Sequence, residues 1–223
     1  MEMIKKQAFV EKGAAALSLL WDELNGLDSL PFASLDREHT LFVIVDMVNG
    51  FVKEGPLSSP RVLNIVSPIR DLLLRFREES FPVVAFADTH RADSPEFSTY
   101  SPHCLENTSE SEIINELQGE DHYLMIRKNS TNGFLEKEFQ QVLFTNPQIS
   151  TFVVTGCCTD ICVMQFCLTL KTFFNMQNRV SRIIVPADCV ETFEFGSHDG
   201  GLMNAVPFKL MQNAGVELVK SIH

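Results

Sequence analysis

Cys162 is the residue whose type and setting best fit nucleophilic catalysis. It ends the run Gly-Cys-Cys-Thr-Asp-Ile-Cys at 156–162 and lies just inside a helix that the pattern predicts after this turn. Unpaired amides and the dipole at a helix start stabilise a thiolate and therefore lower the pKa of the thiol. Neighbouring amides could also bind the oxyanion of an attacked carbonyl group. The alternative is a structural role, since free cysteines commonly pack in protein cores as small hydrophobic residues.

Asp46 and Lys128 could complete a catalytic set with Cys162. Asp46 directly follows an apolar run at 41–45, where burial would raise the pKa of the carboxyl group towards that of a general base. Lys128 follows another apolar run and could keep a thiolate and a carboxylate in their charged forms. Such a set needs no histidine base. Each residue alone has a structural alternative, a turn or helix cap for Asp46 and an ordinary surface lysine for Lys128.

Two more groups of residues could bind a ligand or a metal. Asp88 and His90 follow the second apolar run, and a polar stretch punctuated by prolines continues to residue 108. Irregular stretches of this length inside a compact domain are usually functional. The adjacent Cys157 and Cys158 could form a redox or zinc pair, but they lack the usual spacing of zinc ligands.

The elements that must position these residues alternate between two sequence periods. Short runs rich in Val, Ile and Phe predict strands buried on both faces, at 41–45, 82–87, 122–126, 151–155, 182–185 and 216–219. Helical spacing predicts helices at 61–78, 110–118, 134–144, 160–176 and 200–213. This alternation predicts a Rossmann-like α/β fold, with a six-stranded parallel sheet and helices on both faces. Ligands bind beyond the carboxyl ends of such strands, where the polar residues above fall.

The N-terminal part predicts one helix outside this pattern. Apolar residues recur at helical spacing between Phe9 and Leu24, and the longest apolar segment, 14–21, is too short to span a membrane. No small-x-small cleavage site follows it, so we expect an amphipathic helix packed on the domain or on a partner subunit. We therefore expect a helical extension at 1–39 and an α/β domain at 40–223.

The composition excludes several classes of protein. The 223 residues are 45% hydrophobic and 21% charged, which fits a globular domain with a full core. A net charge of −11 argues against a protein that binds nucleic acid or anionic membranes, because such affinity depends on clustered Lys and Arg. Six cysteines are too few and too unevenly placed for a disulfide scaffold, so we expect a reduced, cytoplasmic protein.

Three motifs in this order resemble those of the isochorismatase-like cysteine hydrolases. They are Leu-Phe-Val-Ile-Val-Asp-Met-Val-Asn-Gly-Phe at 41–51, Lys128, and Gly-Cys-Cys-Thr-Asp-Ile-Cys-Val at 156–163. The resemblance runs from residue 40 to the C-terminus and implies the sheet and helices already predicted. It also implies Asp46 as general base, Lys128 as its electrostatic partner and Cys162 as nucleophile.

Within that family, two further motifs resemble those of nicotinamidases. Asp-Thr-His at 88–90 and Pro-His-Cys at 102–104 are similar to the signatures Asp-x-His and Pro-x-His-Cys, the second with its proline shifted by one position. The resemblance implies a divalent metal, zinc in the first place with iron or manganese as alternatives, that holds a ring nitrogen of the substrate. The implied ligands are Asp88, His90 and His103, with Glu96 as a candidate fourth. From the residues alone, Asp88 could instead cap the loop and both histidines could be ordinary polar residues.

The resemblance also assigns groups around the substrate. The bond between Cys157 and Cys158 stands where the family has a non-proline cis peptide, which would turn the Cys158 and Cys162 amides towards the oxyanion. Phe51 and Tyr100 could sandwich a flat ring, although both would serve equally well as core aromatics. Two departures from the nicotinamidase pattern indicate a different pocket wall: a compact segment follows the lysine, and the usual second acidic residue after the first strand is missing.

The function that this resemblance implies is hydrolysis of nicotinamide, or of a similar small carboxamide, to the acid and ammonia through a thioester, within NAD metabolism. One alternative is an isochorismatase-type or other small-amide hydrolase of the same superfamily, which indifference to chelators would favour. Another is a non-catalytic binding or redox-sensing domain that depends on oxidation of Cys157 and Cys158. We expect no nucleic-acid or membrane partner, and a homodimer or homotetramer, as is common in the family.

Overall fold

The computed structural model describes residues 5–118 and 123–223, and its centre is a parallel β-sheet. The strands are β1 (Thr40–Val45), β2 (Val83–Asp88), β3 (Leu124–Lys128), β4 (Thr151–Cys157), β5 (Arg182–Pro186), β6 (Val190–Glu191) and β7 (Glu217–Val219). Their order is β3-β2-β1-β4-β5-β7, and β6 pairs with β4. The predicted α/β fold with a parallel sheet is therefore confirmed.

The predicted strand positions differ from the structure by no more than two residues at either end. The start predicted for the third strand, His122, lies outside the described residues, and β3 begins at Leu124. The sequence did not predict β6, because a strand of two residues is too short to show a period.

Helices cover both faces of the sheet. They are α1 (Lys6–Asn25), α2 (Asn49–Val52), α3 (Pro60–Leu63), α4 (Val66–Glu78), α5 (Lys137–Thr145), α6 (Met164–Met176) and α7 (Gly200–Asn213). Alternate side chains of β1 join two separate cores, Phe42 and Ile44 on the side of α4, and Leu41 and Val43 on the side of α5, α6 and α7. Because side chains on both faces of the sheet are buried, the strands appear in the sequence as continuous apolar runs.

The helix predicted at 110–118 is wrong. The chain forms two short 3₁₀ turns there, and the residues between them are extended. The Asn49 amide donates to the Glu112 carbonyl at 2.9 Å, and the Ile114 amide donates to the Met47 carbonyl at 3.0 Å. These long-range hydrogen bonds satisfy main-chain groups that a helix would have paired locally, so tertiary contacts override the local helical spacing.

The N-terminal helix α1 is attached to the domain mainly through its second half. Lys209 of α7 lies 2.6 Å from Glu23, and Leu24 packs against the core on that side of the sheet. Phe9 and Trp21 are 64% and 66% exposed. The predicted helix is thus present at Lys6–Asn25, residues 26–39 form no α-helix, and the division of the chain at residue 39 stays a prediction. Among the helices of the described ranges, none is long and apolar enough to cross a membrane.

Candidate active site

Lys128 lies at the centre of a buried charge cluster at the carboxyl ends of the strands. Its Nζ is 2.8 Å from Asp46 Oδ2 and 2.6 Å from Asp88 Oδ1, and it donates to the Ser130 carbonyl at 3.0 Å. The Cys162 Sγ is 3.9 Å from the same nitrogen. The structure therefore brings the three residues predicted to be catalytic into one cluster, in which Lys128 bridges a carboxylate and a thiol.

The positions of these side chains follow from the sheet. Asp88 and Lys128 are the last residues of β2 and β3 and pair in register. Asp46 comes directly after β1, at a φ of +54°, a left-handed conformation that Asp adopts more readily than most residues. Beside it, Gly156 has a φ of +111°, and a Cβ there would collide with the Val45 carbonyl. Only glycine lets β4 approach the end of β1 this closely.

Burial and the buried cation set the protonation states in the cluster. Burial raises the pKa of Asp46 to about 6, although the charge of Lys128 opposes the rise. Burial disfavours the charged form of Lys128, but Asp46 and Asp88 outweigh it and raise the lysine pKa well above its usual value. At neutral pH, Asp46 is therefore mainly ionised and Lys128 is protonated. A carboxylate with a pKa just below neutrality is well matched to general-base chemistry.

The setting of Cys162 differs from the prediction in two respects. It lies in a π-helical turn, Thr159–Val163, that precedes α6, instead of in the first turn of a regular helix. Its side chain is buried, and this burial raises the pKa of the thiol well above its usual value, although Lys128 opposes the rise. The predicted lowering of the pKa is thus wrong, because desolvation outweighs the cation and the helix start. The resting thiol is protonated and needs a base.

The turn before Cys162 has the expected backbone. The peptide bond between Cys157 and Cys158 is cis. Cys157 is fully buried, and its thiol donates to the Asp46 carbonyl at 3.3 Å, which ties the end of β4 to the residue after β1. The Ile161 and Val163 amides both donate to the Cys158 carbonyl at 3.1 Å. The oxyanion role of the Cys158 and Cys162 amides stays a prediction.

Beside this cluster, Asp88, His90 and His103 form a group that could hold a metal ion. One ligand atom of each lies within 4.8 Å of the other two, and all three residues are buried. Asp88 Oδ2 is 2.9 Å from His90 Nε2 and 3.1 Å from His103 Nε2. Asp88 therefore faces Lys128 with one oxygen and both imidazoles with the other.

The hydrogen-bond partners of the two histidines are compatible with metal binding. His90 Nδ1 is 3.1 Å from the side-chain oxygen of Asn129, and His103 Nδ1 is 2.8 Å from the Ser101 carbonyl. A hydrogen on each Nδ1 satisfies those oxygens and leaves both Nε2 atoms free to bind a cation. Glu96 lies outside this three-residue group, with its Oε1 3.9 Å from His90 Nε2. Its role as a fourth ligand stays a prediction.

A pocket of about 450 Å³ opens onto the cluster and the candidate metal group. Cys162, Asp88 and His103 line this pocket, as do the predicted Phe51 and Tyr100. Sequence reasoning missed four others, Leu57, Thr131, Ile161 and Phe193. Ile161 stands next to the nucleophile motif, but no sequence pattern marks Leu57, Thr131 or Phe193, because long-range packing brings them to the pocket.

The fold and this cluster define the class of protein. Residues 40–217 match the model of the isochorismatase domain, so the chain belongs to the isochorismatase family, as predicted.

Three individual proteins illustrate which members of the family this chain is similar to. The chain is 32% identical over 207 residues to nicotinamidase 1 of Arabidopsis thaliana. The aligned region covers 83% of this chain and 84% of that protein. The crystal structure of N-carbamoylsarcosine amidase from Thermoplasma acidophilum is similar with a TM-score of 0.67 and 27% identity, over 82% of this chain and 96% of that one. A pyrazinamidase of Pyrococcus horikoshii in complex with zinc shares the fold, with a TM-score of 0.69 and 19% identity, over 82% and 99% of the chains.

Proposed function

We propose that this protein is a cysteine-dependent amide hydrolase of the nicotinamidase type. It converts nicotinamide, or a similar small carboxamide, to the acid and ammonia through a thioester. The observation that carries this proposal is the position of Lys128, which contacts Asp46 and Asp88 and lies 3.9 Å from the sulfur of Cys162, a residue that lines the pocket. The identity to the Arabidopsis nicotinamidase, over most of both chains, supports a hydrolase of amide C–N bonds.

The first half of the reaction forms the thioester. Asp46 takes the proton of the Cys162 thiol, and the sulfur attacks the carboxamide carbon. Asp46 is suited to this step because it is largely ionised at neutral pH and lies, like the Cys162 sulfur, beside the Lys128 ammonium group. Lys128 stabilises the forming thiolate by its charge. The Cys158 and Cys162 amides hold the oxyanion. Asp46 then gives its proton to the amide nitrogen, the C–N bond breaks and ammonia leaves.

The second half returns the enzyme to its starting state. Asp46 takes a proton from water, and the resulting hydroxide attacks the thioester carbon. The C–S bond breaks, the acid leaves, and the proton returns from Asp46 to the Cys162 sulfur. The net reaction is amide plus water to carboxylic acid plus ammonia. One carboxylate therefore serves as base and acid in both halves.

The candidate metal group places the substrate for this attack. One carboxylate and two imidazoles with open positions suit zinc, iron or manganese, and we propose zinc bound by Asp88, His90 and His103, with Glu96 as the candidate fourth ligand. The bound cation supplies an anchor for a ring nitrogen of the substrate. Phe51 and Tyr100 line the same pocket and contact the flat ring.

A second candidate function is the hydrolysis of a small amide without an aromatic ring. The 27% identity to an N-carbamoylsarcosine amidase, over most of both chains, favours it, as does the missing acidic residue after β1, where Asn49 stands in this sequence. This substrate would use the same thiol chemistry but would not need the ring anchor.

The test is ammonia release from nicotinamide, pyrazinamide and aliphatic amides, with the metal content measured on the same sample. The variant Cys162→Ala removes the nucleophile, and Cys167→Ala is its matched control, since Cys167 is a buried cysteine of α6 outside the pocket. We expect release from nicotinamide by wild type and Cys167→Ala, and none by Cys162→Ala. Exclusive turnover of aliphatic amides by a preparation indifferent to chelators would support the second candidate. Full activity of Cys162→Ala would contradict both.

We also propose a cytoplasmic location and a homodimer or homotetramer, with residues 1–39 as an extension of the hydrolase domain. The exposed apolar residues of α1, Phe9 and Trp21 among them, support a contact with another subunit. Light scattering of the full chain and of a chain that begins at residue 40 measures both the assembly and the contribution of the extension.

A further inference from the structure

One wall of the pocket comes from a segment that the proposed chemistry does not use. We define residues 192–199 as the strap, which links β6 to α7. The strap contributes Phe193 to the pocket wall. Its middle, 194–197, is exposed, and Phe195 is 81% accessible to solvent. The position of Phe193 therefore depends on how the two ends of the strap are held.

Both ends of the strap bind one carboxylate, that of Asp160. The Thr192 hydroxyl donates to Asp160 Oδ1 at 2.6 Å, and His198 Nε2 lies 2.8 Å from Asp160 Oδ2. Asp160 belongs to the π-helical turn that carries Cys162. The strap is thus fixed to the turn that presents the nucleophile.

His198 also supports Phe193 directly. The two rings stack with their centroids 3.8 Å apart and their planes 9° from parallel. His198 Nδ1 lies 3.1 Å from the Phe193 carbonyl oxygen. His198 is absent from the pocket lining, and Phe193 is the lining residue that it contacts directly.

We propose that His198, held by Asp160, is a positioning residue that keeps Phe193 against the substrate ring and so sets the affinity for flat aromatic carboxamides. It takes no part in bond breaking. This inference rests on the proposed function, because it assigns the substrate class that the pocket wall favours. Phe193 of the strap would thus contact the substrate ring in addition to Phe51 and Tyr100.

The test compares His198→Ala, Phe193→Ala and the double variant by steady-state kinetics with nicotinamide. The matched control is His39→Ala, since His39 pairs with Asp36 at 2.9 Å on the protein surface. Loss of one aromatic contact should raise KM by about fivefold to tenfold in either single variant, with little change in kcat. The double variant should show no further rise, because both changes remove the same contact. His39→Ala should match wild type.

Hydrogen exchange of the strap amides provides a readout without substrate. We expect faster exchange at 193–198 in His198→Ala than in wild type and His39→Ala, because the anchored end of the strap is released. Unchanged exchange, an unchanged KM, or rises in KM that multiply in the double variant would each overturn the positioning role. A wild-type protein that releases no ammonia from nicotinamide would overturn the proposed function, while faster exchange in His198→Ala would still support the anchoring of the strap.

Discussion

Replacing Lys128 by methionine removes the cation between two buried carboxylates and leaves a side chain of similar length. Asp46 and Asp88 would then share an interior site with no positive charge between them. Removing one partner of a buried ion pair costs about 3–5 kcal/mol, whereas an exposed pair contributes less than about 1 kcal/mol. The matched control is Lys209→Met, which breaks the exposed pair with Glu23.

The same change alters the protonation of the proposed base. Lys128 opposes the rise in the pKa of Asp46, which is about 6 in the wild type, so its removal raises that pKa further. Asp46 would then be largely protonated at neutral pH and unable to accept the thiol proton. Loss of a general base reduces rates by about 10²–10⁴-fold. We expect a loss of this order at pH 7, and a rising limb of the pH profile displaced to higher pH.

Urea unfolding and ammonia release across a pH series measure both effects on the same preparations. Lys128→Met should unfold at a clearly lower urea concentration than wild type, while Lys209→Met should remain close to it. Equal stability of the two variants would contradict the buried charge cluster. Retained activity of Lys128→Met at pH 7, with an unmoved rising limb, would refute its role beside Asp46.

Four further outcomes follow from the structure. In wild type, kcat/KM for ammonia release should rise with pH through a midpoint of about 6, because only ionised Asp46 accepts the proton, and a flat profile would contradict this. Asp46→Asn should be inactive. As the pH rises from about 4 to 7, wild type should lose about 1–3 kcal/mol of urea resistance relative to Asp46→Asn, because the folded-state pKa of Asp46 is raised from 3.8 to about 6 and its ionisation therefore disfavours the fold; a pH-independent difference would argue against this. His103→Ala should purify with less bound metal than His39→Ala by elemental analysis, and equal contents would count against the metal group. Gly156→Ala should unfold at a lower temperature than Gly13→Ala, since a Cβ at Gly156 collides with the end of β1 and one at Gly13 meets nothing within 4 Å; equal unfolding temperatures would contradict this.

The residues at the carboxyl ends of the strands could be predicted because the end of a buried strand is recognisable from the neighbouring sequence alone. A buried strand shows as an apolar run, and the first polar residue after it marks the edge where ligands bind. Asp46 and Asp88 were found in this way, and the structure places both against Lys128. The setting of Asp46 and Cys162 already suggests a base and a nucleophile, and the resemblance implies the same roles, whereas the metal-ligand role of Asp88 follows from the resemblance; all three roles stay predictions.

Features that depend on distant contacts could not be predicted. The segment at 110–118 has helical spacing, but its main chain pairs with residues 47–49. Asp160 and His198 are 38 positions apart in the sequence, and no local period links them. The raised pKa of Cys162 results from burial, which the predicted helix start could not reveal. In each case tertiary packing determines the outcome.

The central claim is that Cys162 forms a thioester with the substrate. Rapid acid quenching of the wild-type protein during turnover of nicotinamide, followed by peptide mass spectrometry, tests it most directly. We predict a nicotinoyl group on the peptide that contains Cys162, and its absence from the same peptide of Cys162→Ala. Steady turnover with an unmodified Cys162, together with ammonia release by Cys162→Ala, would contradict the claim.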